Sequence, residues 1–166
     1  IEPALIEKFE KETGIKVIYD TFEQNEDMYM KVKEGGNNYD VVVPSDYMAE
    51  KMIKQGMLEK IDYSKIPNFK YIDKRFRNLD YDPKNEYTVP YMWGTVGILY
   101  NKNKVKEKVD SWNILWDEKY KDNIIMMNST RDTLGVALKR LGYSMNSRNE
   151  AELEKAKESL IKQKDI

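Results

Sequence analysis

The sequence predicts an α/β protein whose first unit is a doubly wound layer. Three observations carry that expectation. Helical apolar stripes alternate with short β-rich runs in the order helix–strand–helix–strand–helix over the first third of the chain. The run Tyr39-Asp40-Val41-Val42-Val43 is rich in β-branched residues and closes at Pro44, as a strand buried on both faces of a parallel sheet does. Glycines stand where the helices must stop, at Gly14, Gly35-Gly36 and Gly56.

Pro3 suits the first turn of a helix, and Leu5, Ile6 and Phe9 supply its apolar stripe. Ile15 to Tyr19 reads as a strand. Asn25 can cap a helix running to about Lys33. After the strand at Tyr39–Val43, Ser45 or Asp46 caps a third helix carrying Met48 and Met52. The first helix has no strand before it, although the first strand of such folds usually lies inside the sheet. The chain is therefore expected to be a piece cut from a longer protein. Sheet edges left unpaired by the cut would invite self-association by strand exchange.

Residues 57–86 are irregular, polar and aromatic, with turn signals at Pro67-Asn68 and Asp82-Pro83. Tyr87 to Tyr100 reads as one or two strands around Trp93-Gly94, and Asn101 to Asp110 as a lysine-rich connector. Ser111 opens a short helical stretch with Trp112, Leu115 and Trp116. Ile124 to Met127 reads as another buried strand. Leu134, Ala137, Leu138 and Leu141 mark a helix ending at Gly142, and Leu153, Ala156 and Leu160 mark a last one. The expected organisation is a first α/β lobe over 1–101, lacking its first strand. A hinge connector and the start of a second lobe follow over 102–166. A second unit that small is not expected to fill a core alone.

Composition narrows the function. There are 28 basic and 29 acidic residues, so the net charge of −1 gives no general attraction to nucleic acid or anionic lipid. The chain has no Cys and no His. That excludes Cys/His zinc sites, Ser-His or Cys-His catalysis and disulfides. No apolar run approaches the ~20 residues of a membrane span. Gly94-Thr95-Val96-Gly97 is too short for a phosphate loop and lacks its Lys-Ser/Thr pair. No cofactor or metal is implied, and an enzyme is not expected, since its base would have to be a carboxylate, Lys or Tyr. Twelve Tyr and three Trp offer faces that attract cations.

Ligands of open parallel sheets bind beyond the carboxyl ends of strands. One such exit is Val43-Pro44-Ser45-Asp46-Tyr47, with a hydroxyl at Ser45 and an aromatic face with a polar tip at Tyr47; Ser45 or Asp46 could equally be only a helix cap. The other is Met127-Asn128-Ser129-Thr130-Arg131-Asp132, where Ser129 or Thr130 could be a cap and Asp132 a dipole partner. A third candidate is Pro90-Tyr91-Met92-Trp93-Gly94-Thr95. There Gly94 would let a ligand approach the backbone, and Trp93 is either core or site.

Three stretches together resemble the extracytoplasmic spermidine/putrescine-binding proteins of polyamine ABC importers. They are Phe9-Glu10-Lys11-Glu12-Thr13-Gly14-Ile15-Lys16-Val17-Ile18-Tyr19, Tyr39 through Tyr47, and Val89-Pro90-Tyr91-Met92-Trp93-Gly94-Thr95-Val96-Gly97. The stretch from Ser111-Trp112 to Leu141-Gly142-Tyr143 fits as well. The ordered set, with Val-Pro-Ser-x-Tyr and Pro-Tyr-x-Trp-Gly, points to the polyamine branch.

This resemblance implies a type II periplasmic-binding-protein-like fold: a doubly wound sheet lobe plus part of a second lobe, the two lobes closing on a ligand about a hinge. It implies capture of putrescine or spermidine for an importer permease, in an extracytoplasmic, membrane-anchored parent. Ser45 and Tyr47 match the family's contact pair after the proline, and Asp132 matches an acidic position that contacts an amine. Ser129 falls where some members place an aspartate, so the chain departs from the pattern there. The rival readings are a binder of another small solute and a sensor or interaction module of the same fold.

The resemblance also places a further aromatic and acidic site segment before Ile1 and the remaining site residues after Ile166. The 166-residue chain alone is therefore expected to bind polyamines weakly or not at all. Micromolar spermidine affinity in calorimetry on this chain would contradict that.

Overall fold

The structure, a computed structural model, describes residues 1–35 and 39–166. Gly36, expected to help end the second helix, lies outside the described residues. The chain divides into two compact units, Ile1–Pro90 and Tyr91–Ile166.

In the first unit, α1 spans Pro3–Thr13, α2 Asn25–Lys33 and α3 Asp46–Lys54. Pro3 opens α1, and Gly14 closes it with a left-handed φ of 71° while its N–H donates to the Glu10 carbonyl at 2.8 Å. Leu5 and Phe9 of the α1 apolar stripe are both exposed. The core lies one helix pair later. Met28 and Tyr29 of α2 pack with Met48 and Met52 of α3, and Val32, Val42, Tyr47, Met57 and Leu58 surround them. The Tyr29 hydroxyl donates to Gln55 Oε1 at 2.8 Å, and Lys51 Nζ stands 4.0 Å from the centre of the Tyr29 ring.

The irregular segment from residue 57 is held by carboxylates. Asp62 and Asp73 cap the short 3₁₀ turns Tyr63–Lys65 and Lys74–Phe76. Arg77 donates through its guanidinium to the Ile72 and Lys70 carbonyls, at 2.7 and 2.8 Å. Asp82 is buried, at 4% exposure. Its Oδ1 accepts the Glu86 N–H at 3.0 Å, and its Oδ2 accepts the Tyr87 N–H, the Thr88 N–H and the Thr88 hydroxyl, each at 2.9 Å. Asn85, buried and at φ 50°, adds its Oδ1 to the Asn78 N–H at 2.6 Å.

In the second unit, Ser111 and Asp117 cap the 3₁₀ turns Trp112–Trp116 and Glu118–Tyr120. Helices α4 (Thr130–Arg140) and α5 (Glu150–Gln163) then pack as a hairpin around Ala137, Leu138 and Ala156. Trp116 Nε1 donates to the Ser159 carbonyl at 2.8 Å, and Gln163 Nε2 to the Leu115 carbonyl at 2.7 Å. The Arg140 guanidinium lies 4.6 Å from the Trp116 ring centre and donates to Ser159 Oγ at 2.8 Å and Asn113 Oδ1 at 3.0 Å. These contacts stitch the 3₁₀ turn to both helices.

The expected sheet is not present as a hydrogen-bonded ladder among the described residues. The runs Ile15–Tyr19, Tyr39–Val43, Tyr87–Tyr100 and Ile124–Met127 carry no strand assignment there. Ile18, Leu99 and Ile125 are 93, 99 and 94% exposed, and Val41 is exposed as well. Tyr39–Val43 and Ile124–Met127, expected as buried strands, are extended here without a ladder, and none of their residues is fully buried. β-Branched composition favours extended backbone, but a ladder needs a neighbour for its N–H and C=O groups, and parallel neighbours come from far along a chain. Self-association by strand exchange likewise finds no support, because among the described residues there is no sheet for an exchanging edge to belong to.

Replacing Asp82 tests the segment it organises. Asp82→Ala would strand part-buried N–H donors and should cost about 2–4 kcal/mol. Asp82→Asn keeps one acceptor oxygen and should cost about half as much. Denaturant titration checks both, and unchanged midpoints would show that the loop is held elsewhere.

Candidate functional site

Packing of α2 on α3 brings the starts of both helices together. The sequence suggests Asn25 as the α2 cap, but Gln24 takes the cap position and Asn25 is the first helical residue. Its side chain reaches the start of α3 instead. Asn25 Oδ1 accepts the Ser45 N–H at 2.8 Å, and Asn25 Nδ2 donates to Ser45 Oγ at 3.1 Å. Ser45 occupies the α3 cap position without a capping side-chain bond. Its hydroxyl is thus free of the bland role the sequence allowed it.

Asp46 Oδ1 accepts the Tyr47 N–H at 2.7 Å. The Tyr47 hydroxyl donates to Glu26 Oε1 at 3.1 Å, while the ring covers the methionine core. Burial pushes the Tyr81 phenol above its ordinary value, and the charges of Asp46 and Asp82 add to that shift, so Tyr81 lies within electrostatic reach of the α3 start. The sequence expectation of Ser45 and Tyr47 therefore gains Asn25 and Glu26 as neighbours. No spacing rule links residues about twenty apart on two helices, so only the packing reveals them.

At the second exit the structure assigns Ser129 the capping role. Its Oγ accepts the Asp132 N–H at 3.3 Å. Asp132 sits half-buried in the first turn of α4, and the next residue, Thr133, donates its hydroxyl to the Met127 carbonyl at 2.9 Å. Trp93 is 68% exposed, so it is not core. Ser45 and Tyr47 belong to the first unit, whereas Trp93, Ser129 and Asp132 belong to the second.

Two surface hollows lie away from these residues. One, of about 340 Å³, is lined by Trp116, Arg140, Lys155 and Ser159 among others. The other, of about 460 Å³, is lined by Val32, Lys33, Gln55 and Met57. Neither includes a residue singled out for ligand contact. The described residues hold no metal-binding group of His, Cys, Asp or Glu side chains, and no helix among them is long and apolar enough to cross a membrane.

The family model for bacterial extracellular solute-binding proteins matches residues 4–165. This chain belongs to that family. It is 45% identical over 164 residues to the spermidine/putrescine-binding periplasmic protein of Salmonella typhimurium, a match covering 98% of this chain and 47% of that protein. Among solved structures, a Listeria monocytogenes protein assigned to a spermidine/putrescine ABC transporter is 47% identical with a TM-score of 0.95, covering 99% of this chain and 52% of that one. The spermidine/putrescine ABC transporter substrate-binding protein PotD of Streptococcus pneumoniae is 43% identical with a TM-score of 0.77, covering 99% and 51%. The fold is thus that of periplasmic solute-binding proteins. The chain spans about half the length of the curated relatives it matches.

The strongest surface perturbation in the second unit is at Glu107. A hydrogen bond from Lys119 Nζ at 2.7 Å, with another from the Tyr120 hydroxyl, lowers its carboxyl from 4.5 to about 2. A depressed folded value means that the pair's contribution is present above the ordinary carboxylate range and is lost as pH falls from 4.5 toward about 2. Lys119→Ala should return the Glu107 titration toward 4.5, read by carboxyl carbon NMR. Stability should change little, because the pair is exposed. A titration left near 2 would mean that Tyr120 and the Lys106 N–H hold the carboxylate without Lys119.

Proposed function

We propose that this chain forms part of the solute-binding component of an ABC importer that captures polyamines, putrescine or spermidine, for uptake. The observation that carries the reading is the 45% identity, over 98% of the chain, to a spermidine/putrescine-binding periplasmic protein. In this reading the protein works outside the cytoplasm, in a membrane-anchored parent, and hands its ligand to an importer permease. It performs no chemistry on the ligand and needs no cofactor or nucleic acid.

The finer architecture belongs to the same proposal. The extended runs are strands of a doubly wound sheet in the whole protein. The first lobe covers 1–101, and 102–166 holds the hinge connector and the start of the second lobe. Lobe closure excludes water and strengthens the electrostatic contacts with the ligand.

A polyamine is a flexible rod with ammonium groups along an alkyl chain. Each ammonium offers donors and needs acceptors, best supplied by carboxylates through charge-assisted hydrogen bonds. Aromatic faces cover the methylenes and attract the charge. Ser45 and Tyr47 supply a hydroxyl and a ring with a polar tip at one helix start. Asp132 supplies a carboxylate at another, where it also offsets the α4 dipole that would otherwise repel a cation. Exposed Trp93 offers an aromatic wall. Ser129 takes part through its cap of α4, holding the turn that carries Asp132.

Calorimetry of the full-length gene product with putrescine and spermidine tests the reading. Heat of binding is expected with at least one of them. Asp132→Asn should weaken it about tenfold to a hundredfold, the scale of a charged hydrogen bond. Heat with an anionic solute and none with either polyamine would overturn the proposal.

A further inference from the structure

The start of α2 carries two side chains whose partners are the α3 residues proposed to touch ligand. A backbone N–H can only donate. The Ser45 N–H therefore requires the oxygen of the Asn25 amide, and the amide NH₂ necessarily faces Ser45 Oγ. The Ser45 hydroxyl is thereby held from one side by a donor, which restricts the directions left to its own proton and second lone pair.

Tyr47 is constrained in the complementary sense. A phenol has one proton, and here it points to Glu26 Oε1 at 3.1 Å. With that proton on a carboxylate, the phenolic oxygen meets any third group as an acceptor. An ammonium has donors and no acceptor, so a phenol set in this way needs no reorientation to receive it. Glu26 also lies in the first turn of α2, where a negative charge complements the helix dipole. That role would be independent of Tyr47.

We propose that Asn25 and Glu26 are positioning residues, which preset the hydrogen-bond polarity of Ser45 and Tyr47 for an amine nitrogen. The inference rests on the amine-binding reading above and assigns to α2 a part in ligand selection. A solute that offered Tyr47 only acceptors would meet a phenol whose proton is already committed.

A double-mutant cycle in the full-length gene product, with spermidine as the probe, tests it. Glu26→Leu should weaken binding about three- to tenfold, the scale of one ordinary hydrogen bond. Glu26→Gln, which keeps an acceptor for the phenol, should recover most of that loss. In a Tyr47→Phe background, Glu26→Leu should add no more than about twofold. For Asn25, the readout is amide hydrogen exchange at Ser45 without ligand, which Asn25→Leu should speed about tenfold.

Equal losses in Glu26→Gln and Glu26→Leu would mean that Glu26 acts by charge, and an undiminished loss with Tyr47→Phe would mean that it acts elsewhere. Either result, or an unchanged Ser45 exchange rate, with polyamine binding intact in the unmodified protein, overturns the positioning roles alone. An unmodified protein that takes up no polyamine overturns the amine reading and this inference with it.

Discussion

The contact of Met28 and Tyr29 with Met48 and Met52 is the constraint on which the rest of the first unit depends. It sets α2 on α3 so that their starts meet, and the bonds of Asn25 to Ser45 and of Tyr47 to Glu26 follow from that meeting. Methionine suits the task, because its unbranched side chain fills irregular gaps between packed elements. Tyr29 adds a polar tip that reaches Gln55 beyond the end of α3, tying both ends of the pair. A hydrophobic contact thus decides the geometry of a polar site that it does not itself line.

The second unit solves a comparable problem with different means. Its helix hairpin packs around Ala137, Leu138 and Ala156, where the two alanines allow close approach but bury little area. Trp116 supplies the missing bulk, and its indole N–H finds the Ser159 carbonyl. Arg140 lies over the ring and spends its donors on Ser159 and Asn113, so a long charged side chain serves as packing. The start of α4, with Ser129 and Asp132, is held at the end of this scaffold by an ordinary cap. Both proposed contact regions are therefore helix starts positioned by cores on their own side of Pro90.

Much of this was legible in the sequence, and the failures have a common cause. Gly14, Gly56 and Gly142 end helices as expected, because a left-handed turn residue acts locally. The sequence left Ser129 or Thr130 as the α4 cap, and the structure selects Ser129. The Asp82-Pro83 turn was visible, but not that Asp82 would gather the amides of Glu86, Tyr87 and Thr88. The exposed Leu5 and Phe9 show that an amphipathic stripe declares a face without saying what covers it. Asn25 looked like a cap and became a clamp, because Ser45 offered it a better pair of partners.

By itself, the sequence determined the positions of the α-helices among the described residues, the absence of Cys/His chemistry and the motifs shared with the solute-binding family. Those properties depend on residue type and short spacing, which the chain carries wherever it goes. Only the tertiary structure decided that Asn25 and Glu26 attend Ser45 and Tyr47, and that Asp82 is the buried nucleus of its loop. It also decided which of the β-rich runs pair in a ladder, and among the described residues none carries a strand assignment. A hydrogen bond or a ladder needs two segments in one place. Their meeting is set by packing between residues far apart in the chain, which no local pattern records.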